Sequence, residues 1–276
     1  MNYARNLTWE RFEDLYSHIY KKCLIGRRRA LAPYINCFDR DLIEHPFLSD
    51  LIDRKKISAT EIDDVKEIIN SFRKLEGTFI SIDFETHLDW TFEEKTKAHF
   101  KLEKALKLIR DHCPNAYQYV LKSLLHISLR KTSHQGSFIS SRSKSNIEKW
   151  CQIDNILHYD VLEIAMAVIH EAIHNYIWIL ERRYPIFQKA YWGKSEKVTS
   201  PWSGDIISIG AYAHTILVWF GLFNFLNTVP KSPLRQRHHE FIKSGFEGKP
   251  FDSLVNIASP HLVSSFLYIE HFMSAD

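Results

Sequence analysis

The chain has 276 residues, of which 45% are hydrophobic and 25% are charged, with a formal net charge of +3. This composition is ordinary for a globular protein, and the length allows one large domain or two small ones. The small excess of positive charge argues against a nucleic-acid partner. Four scattered cysteines without a C-x-x-C pair, together with a polar N-terminus that lacks a secretory signal, favour reduced thiols and a cytoplasmic location.

The first half of the chain alternates helical patterns with short extended stretches. Its predicted elements are helices at 7–24, 39–53, 59–75 and 91–112 and a strand at 78–84. Pro114 ends the last of these helices. The apolar stretch 117–129 fits a strand or a helix, and the Ser-rich stretch 130–145 predicts a strand and a turn.

The second half contains the most apolar helical patterns. Its predicted helices cover 161–183, 206–226, 232–245 and 259–273. Together with an H-E-x-x-H motif at His170–His174, the sequence of a metal-binding helix, these patterns predict a mainly α (α+β) protein, a helical domain with a small β-sheet beside a zincin-like metal-binding helix. We expect a single domain over 1–276, in which 1–114 is a possible N-terminal helical subdomain and 115–276 carries the metal site.

The stretch 206–226 has 21 residues without a formal charge, which is long enough to cross a bilayer. An intramembrane metalloprotease is therefore one alternative. Ser208, His214, Thr215 and Asn224 interrupt the apolar run, and the sequence has no second unbroken span. A buried core helix explains the stretch more simply, so we expect no membrane partner.

The most informative motif is His170-Glu171-Ala172-Ile173-His174, an H-E-x-x-H sequence inside the apolar helix 161–183. Positions i and i+4 lie on one face of a helix, so the two imidazoles can bind one metal ion. The alternative is a pair of core histidines with ordinary hydrogen-bond partners. Because buried polar groups are costly unless they are paired or bound to a metal, the apolar surroundings favour a metal site.

A catalytic metal needs a third protein ligand as well as open positions for water or substrate. The candidates that follow along the chain are Glu196, Asp205 and His214. We favour His214, because an ionisable group inside an apolar helix needs a partner and a metal suits neutral imidazole. Glu196 stands between lysines in a polar loop and is more typical of a surface residue. The pair His238-His239, flanked by charged residues, predicts a solvated helix face.

These motifs, followed along the chain, resemble a known enzyme family. The order is His170-Glu171-x-x-His174, then Ser200-Pro201-Trp202, then His214, then a long apolar helix. It resembles the HExxH peptide β-hydroxylases, regarded as iron(II)/2-oxoglutarate oxygenases, over roughly 131–226. The resemblance implies that His170, His174 and His214 bind iron(II), and that a peptide or amino-acid-like molecule is the substrate.

The chain departs from this family after Trp202. The family tends to carry an Arg-rich segment resembling R-D-D-P-R-P, whereas this chain has Ser203-Gly204-Asp205 and retains only the aspartate. A 2-oxoglutarate carboxylate needs an Arg, or a Lys with a hydroxyl. Possible substitutes for the missing arginines are Lys194, Lys197, Arg182 and Arg130. The residues predicted to bind the cosubstrate are Lys194, Lys197, Trp202, Ser203 and Asp205.

Three classes of function remain open from the sequence. The favoured one is an iron(II)/2-oxoglutarate hydroxylase, in which Glu171 orients a ligand or water. The second is a zinc metallopeptidase, in which Glu171 is the general base for the zinc-bound water. The third is a helical binding protein with a structural metal or none. An all-His site with a nearby Arg or Lys favours the oxygenase, and a His/His/Glu site beside a strand edge favours the peptidase.

Overall fold

The structure, a computed structural model, describes part of the chain. The described residues are 2–10, 73–74, 80–85, 90–133, 139–144, 147–181, 184–188, 196–248, 251–252, 254 and 256–274. The helix predicted at 39–53, and most of those predicted at 7–24 and 59–75, lie outside them. The described residues are mainly helical with two small sheets, which confirms the mainly α (α+β) class.

The described elements follow in chain order. The helices are α1 (Phe92–His112), α2 (Pro114–Ser123), α3 (Val161–Glu181), α4 (Ile209–Thr228), α5 (Pro233–Glu247) and α6 (Pro260–Ser274). The strands are β1 (Arg73–Lys74), β2 (Ser81–Phe84), β3 (His126–Arg130), β4 (Ser141–Lys144), β5 (Ile147–Asp154), β6 (Lys197–Thr199) and β7 (Ile206–Ser208). Short 3-10 turns occur at Arg5–Thr8 and Ile156–His158.

Local signals in the sequence account for several helix ends. Thr91 and Glu94 form a reciprocal capping box at the start of α1, and Pro114 occupies the first turn of α2. The Ser208 hydroxyl accepts the Ala211 N–H, so α4 begins at 209. The prediction of helix from 206 is therefore wrong for 206–208, which pair with β6 as β7.

Two other predictions change in the first half of the chain. Residues 73–74, predicted as the end of a helix, pair with β2 as strand β1. The stretch 117–129, which fitted either a strand or a helix, contains both. Its first part belongs to α2, which ends at Ser123, and its last part belongs to β3, which begins at His126. The short predicted strand is confirmed over Ser81–Phe84.

The larger sheet has the strand order β1-β2-β3-β5-β4. Strands β2, β3 and β5 are parallel, while β1 and β4 are antiparallel to their neighbours and occupy the two ends. Since β2 pairs with β3, the two portions of the chain predicted as 1–114 and 115–276 share one sheet. Helix α3 follows β5 and packs against β4, β5, α1, α2 and α4.

Helix α4 is the apolar partner of α3. A Cβ at Gly221 would lie 2.6 Å from Ile173 Cδ1, so the absence of a side chain there permits the close approach of the two helices. Among the described helices, α4 is long and apolar enough to cross a membrane, and 78% of its most apolar window is buried inside the fold. This burial is typical of a core helix.

Candidate metal centre

The two histidines of the H-E-x-x-H motif lie one turn apart in the middle of α3, with their ring nitrogens facing each other. The distance from His170 Nε2 to His174 Nε2 is 3.1 Å. Two nitrogens that bind one ion at about 2.1 Å, at tetrahedral or octahedral angles, are about 3.0–3.4 Å apart. The spacing therefore fits a pair of ligands on one metal ion.

The surroundings of these two imidazoles favour their neutral form. Burial lowers the pKa of His170, and the nearby Glu171 carboxylate opposes that shift only in part. Burial lowers the pKa of His174 well below its usual range, and the neighbouring His170 and His214 lower it further. Neutral imidazole is the form that binds metals, so neither ring has to lose a proton at neutral pH before it can act as a ligand.

His214 on α4 lies against the other side of the His174 ring. The rings are stacked with centroids 5.5 Å apart, and the two Nδ1 atoms are 3.3 Å apart. The other nitrogen, His214 Nε2, is 3.3 Å from Glu181 Oε2 at the end of α3. A carboxylate on the far nitrogen of an imidazole is the usual way in which proteins orient a metal-binding histidine.

The three imidazoles nevertheless do not meet at one point. His174 presents Nε2 to His170 but Nδ1 to His214, and one ion cannot bind both nitrogens of the same ring. In the described part of the chain, no three His, Cys, Asp or Glu side chains form a group that could hold a metal ion. The donor pair thus fits a metal, while the third ligand stays a prediction.

Glu171 is 1% exposed and is held by the adjacent strand β4. Ser141 donates a hydrogen bond of 2.7 Å to Glu171 Oε1, and Ser143 donates to Glu171 Oε2. Alternate residues of a strand point to the same face, which brings both hydroxyls to one carboxylate. Glu171 Oε1 also lies 3.8 Å from His170 Nε2, so a fixed negative charge stands next to the candidate metal position.

A cavity of about 610 Å³ opens beside His170. Its walls come from α3, α4, α5, the residues before β4 and the Ser200-Pro201-Trp202 turn. The lining is largely apolar, and its bulkiest members are Ile139, Met166, Trp202, Trp219, Leu222 and Phe241. Trp202 is fixed there by a hydrogen bond of 2.9 Å from its Nε1 to the Ile242 carbonyl oxygen. The cavity is of a size typical of small-ligand or side-chain binding sites.

The residues predicted to bind a cosubstrate are distributed unevenly around this cavity. Trp202 and Ser203 line it, whereas Lys197 and Asp205 are exposed and lie outside the lining. Lys194 lies outside the described residues.

The remaining candidates for binding the cosubstrate carboxylate are Arg182 and Arg130. Arg182 lies outside the described residues, and Arg130 is engaged in a bidentate pair with Asp154. Among the described lining residues there is no Lys or Arg, so the carboxylate partner that 2-oxoglutarate requires is not found in that lining. Glu196, the less favoured metal candidate, is exposed at the start of β6.

Sequence reasoning missed the partners of His214 and Glu171. Glu181, which lies beside His214, follows His174 by two helical turns, so helical periodicity alone could have placed it on the same face of α3. Ser141 and Ser143 alternate on a strand, but their pairing with Glu171 depends on how β4 packs on α3.

The prediction of a solvated face is wrong for His238. This residue is 3% exposed and lines the cavity, because α5 turns it toward Glu163 on α3. A helix that looks polar in sequence can therefore carry a buried residue at the point where it packs on another helix.

Comparison with known proteins adds no family assignment. No protein-family model matches the chain, and no curated protein sequence matches it.

Proposed function

We propose that the protein is a non-haem iron(II) oxygenase that hydroxylates an amino-acid side chain of a peptide or a related small molecule. His170 and His174 would hold the ion through their Nε2 atoms. His214, the predicted third ligand, faces the Nδ1 side of His174 and would have to turn toward the ion to bind it. The observation that carries this proposal is the distance of 3.1 Å between His170 Nε2 and His174 Nε2, which suits a shared ion. An iron held by three protein ligands keeps open positions for oxygen and a cosubstrate.

The environment of Glu171 is compatible with its role in an oxygenase. Both carboxylate oxygens of Glu171 accept a serine hydroxyl from β4. A carboxylate held in this way is suited to orienting a neighbouring imidazole or a water molecule by its charge. Iron supplies the oxygen chemistry when bound, and the chain orients the ligands and encloses the substrate.

The cosubstrate rests on the family resemblance alone, because the described cavity lining contains no Lys or Arg. The test is anaerobic reconstitution with iron(II), followed by titration with 2-oxoglutarate and visible spectroscopy. A metal-to-ligand charge-transfer band that is lost in His214→Ala would support the full proposal. Iron binding without a band would refute 2-oxoglutarate as cosubstrate, and full metal content in His214→Ala would refute the third ligand.

A zinc peptidase is the second candidate, and two observations favour it. Glu171 Oε1 lies 3.8 Å from His170 Nε2, within reach of a water on a metal, and the outer strand β4 runs beside α3. In this alternative Glu171 takes the proton from metal-bound water. Tight zinc binding together with cleavage of a peptide mixture, abolished in Glu171→Gln, would establish the peptidase. An oxygenase keeps partial activity in Glu171→Gln, because the amide preserves the shape of the side chain.

A further inference from the structure

The cavity has a second polar end, which lies along α3 away from the metal motif. Glu163, Met166, Ala167 and His170 all line the cavity, and their spacing of three and four residues places them on one face of the helix. Glu163 and His170 are two helical turns apart, which corresponds to about 10 Å along the axis. The apolar wall described above runs between these two ends.

Among the described residues that line the cavity, Glu163 is the one with a formally charged side chain. Its residue is 8% exposed, and one carboxylate oxygen, Oε2, accepts the Asp160 backbone N–H at 3.0 Å. The other oxygen, Oε1, lies 3.5 Å from His238 Nε2. Burial lowers the pKa of His238, the nearby Glu163 opposes that shift, and Arg237 adds to it. His238 is therefore mainly neutral at pH 7, so the positive charges near Glu163 are those of Arg237 and of Lys101, whose ammonium is bonded to the Leu157 and Tyr159 carbonyl oxygens.

Arg237 is the cation next to this carboxylate, but it approaches from outside. Its guanidinium Nη2 lies 3.7 Å from Glu163 Oε1, its side chain is 63% exposed, and it does not line the cavity. Because Arg237 is largely exposed while Glu163 is buried, water and salt screen this pair in part, and Arg237 competes only weakly with a cation inside the cavity. A cation inside the cavity would meet Glu163 in apolar surroundings, where the attraction is stronger.

We propose that Glu163 and His238 form a recognition subsite for a primary ammonium group of the substrate, about 10 Å from the ion-binding end at His170. The inference deepens the proposed function, because it rests on His170 marking the reactive end. The substrate class that follows is a peptide whose apolar residues fill the aromatic part of the cavity and whose ammonium group reaches Glu163. Either a lysine side chain or an N-terminal amine can supply that group.

Three peptides, each amidated at its C-terminus, test the subsite by isothermal titration calorimetry. Acetyl-Leu-Phe-Lys-amide carries a side-chain ammonium, Leu-Phe-norleucine-amide carries an N-terminal one, and acetyl-Leu-Phe-norleucine-amide is the neutral reference. We expect at least one ammonium peptide to bind the wild-type protein about tenfold more tightly than the neutral one, and the tighter of the two identifies the source of the amine.

Glu163→Gln is the decisive variant. A glutamine oxygen can still accept the Asp160 N–H, so the start of α3 keeps its cap while the charge is removed. We expect this variant to bind all three peptides with the affinity of the neutral one. Glu240→Gln, an exposed acid on α5, is the matched control and should keep the preference. Arg237→Gln should strengthen the preference, because it removes the competing cation.

Two results would overturn the subsite: equal binding of all three peptides to the wild-type protein, or a preference that survives in Glu163→Gln. The measurement is separable from the proposed function. His170→Ala should lose the metal yet keep the ammonium preference. Failure of metal binding with the preference intact refutes only the oxygenase, and loss of the preference with metal binding intact refutes only the subsite.

Discussion

Replacing Gly245 by alanine would displace Trp202, the tryptophan of the Ser-Pro-Trp turn that lines the cavity. An added Cβ would lie 2.0 Å from Trp202 Nε1 and 2.2 Å from Trp202 Cε2. Ordinary contacts between such atoms are about 3.5 Å, so the indole would have to move by roughly 1.5 Å. The ring is rigid and packs against Phe246, with centroids 5.1 Å apart, so it cannot give way locally.

These contacts set the expected loss in the free energy of unfolding. Overpacking a well-packed site costs about 1–3 kcal/mol, and loss of the hydrogen bond from Trp202 to the Ile242 carbonyl costs about 1 kcal/mol more. The better helix propensity of alanine offsets about 1 kcal/mol. We therefore expect Gly245→Ala to lower the free energy of unfolding by about 1–3 kcal/mol, the sum of these contributions.

Urea unfolding followed by circular dichroism measures this change. Gly210→Ala is the matched control, because its Cβ would meet only Phe187 Cε2, at an ordinary 3.8 Å. The control should be neutral or more stable than wild type by up to about 1 kcal/mol. If Gly245→Ala is as stable as Gly210→Ala, the packing of Trp202 over α5 is not as described.

Three further changes test separate parts of the fold. Gly221→Ala should lower the free energy of unfolding by about 1–3 kcal/mol, because its Cβ would lie 2.6 Å from Ile173 Cδ1 and 3.3 Å from Trp9 Cζ2; unchanged stability in urea unfolding would contradict this. Ser143→Ala should lower the free energy of unfolding by about 1.5–3 kcal/mol, because it removes a hydrogen bond to the buried carboxylate of Glu171. A stability equal to that of the wild type would show that this hydrogen bond is not formed. Burial raises the pKa of Asp154, but hydrogen bonds from Arg130 and Gln152 outweigh it and leave the pKa lowered. A lowered pKa stabilises the fold above the unfolded value of about 3.9, and this stabilisation is lost as the pH falls through the folded value. Arg130→Met should therefore lower the free energy of unfolding by about 2 kcal/mol at pH 7, and by progressively less below about pH 4. An equal loss at pH 7 and below pH 4 would contradict the pairing of Arg130 with Asp154.

The sequence predicted the parts of the site that depend on local spacing. His170 and His174 face each other because they lie one helical turn apart on α3. His214, predicted as a metal ligand from its apolar context, stacks on His174, while its binding to a metal stays a prediction.

The remaining contacts depend on packing between distant elements, which local patterns do not specify. Ser141 and Ser143 reach Glu171 only because β4 is the end strand beside α3. His238 looked solvated because its neighbours in the chain are charged, yet α5 turns this one residue into the cavity. The start of α4 was predicted three residues early, since residues 206–208 carry no charge but pair with β6.

The proposed function depends first on the joint binding of one metal ion by His170 and His174. The most direct measurement is the metal content of the purified protein after anaerobic loading with iron(II) and removal of free metal. We expect one equivalent of iron per chain in the wild-type protein and in His271→Ala, which changes an exposed histidine on α6. We expect none in the folded His170→Ala or His174→Ala variants. Undiminished iron in either of these two variants would show that the two histidines do not share an ion.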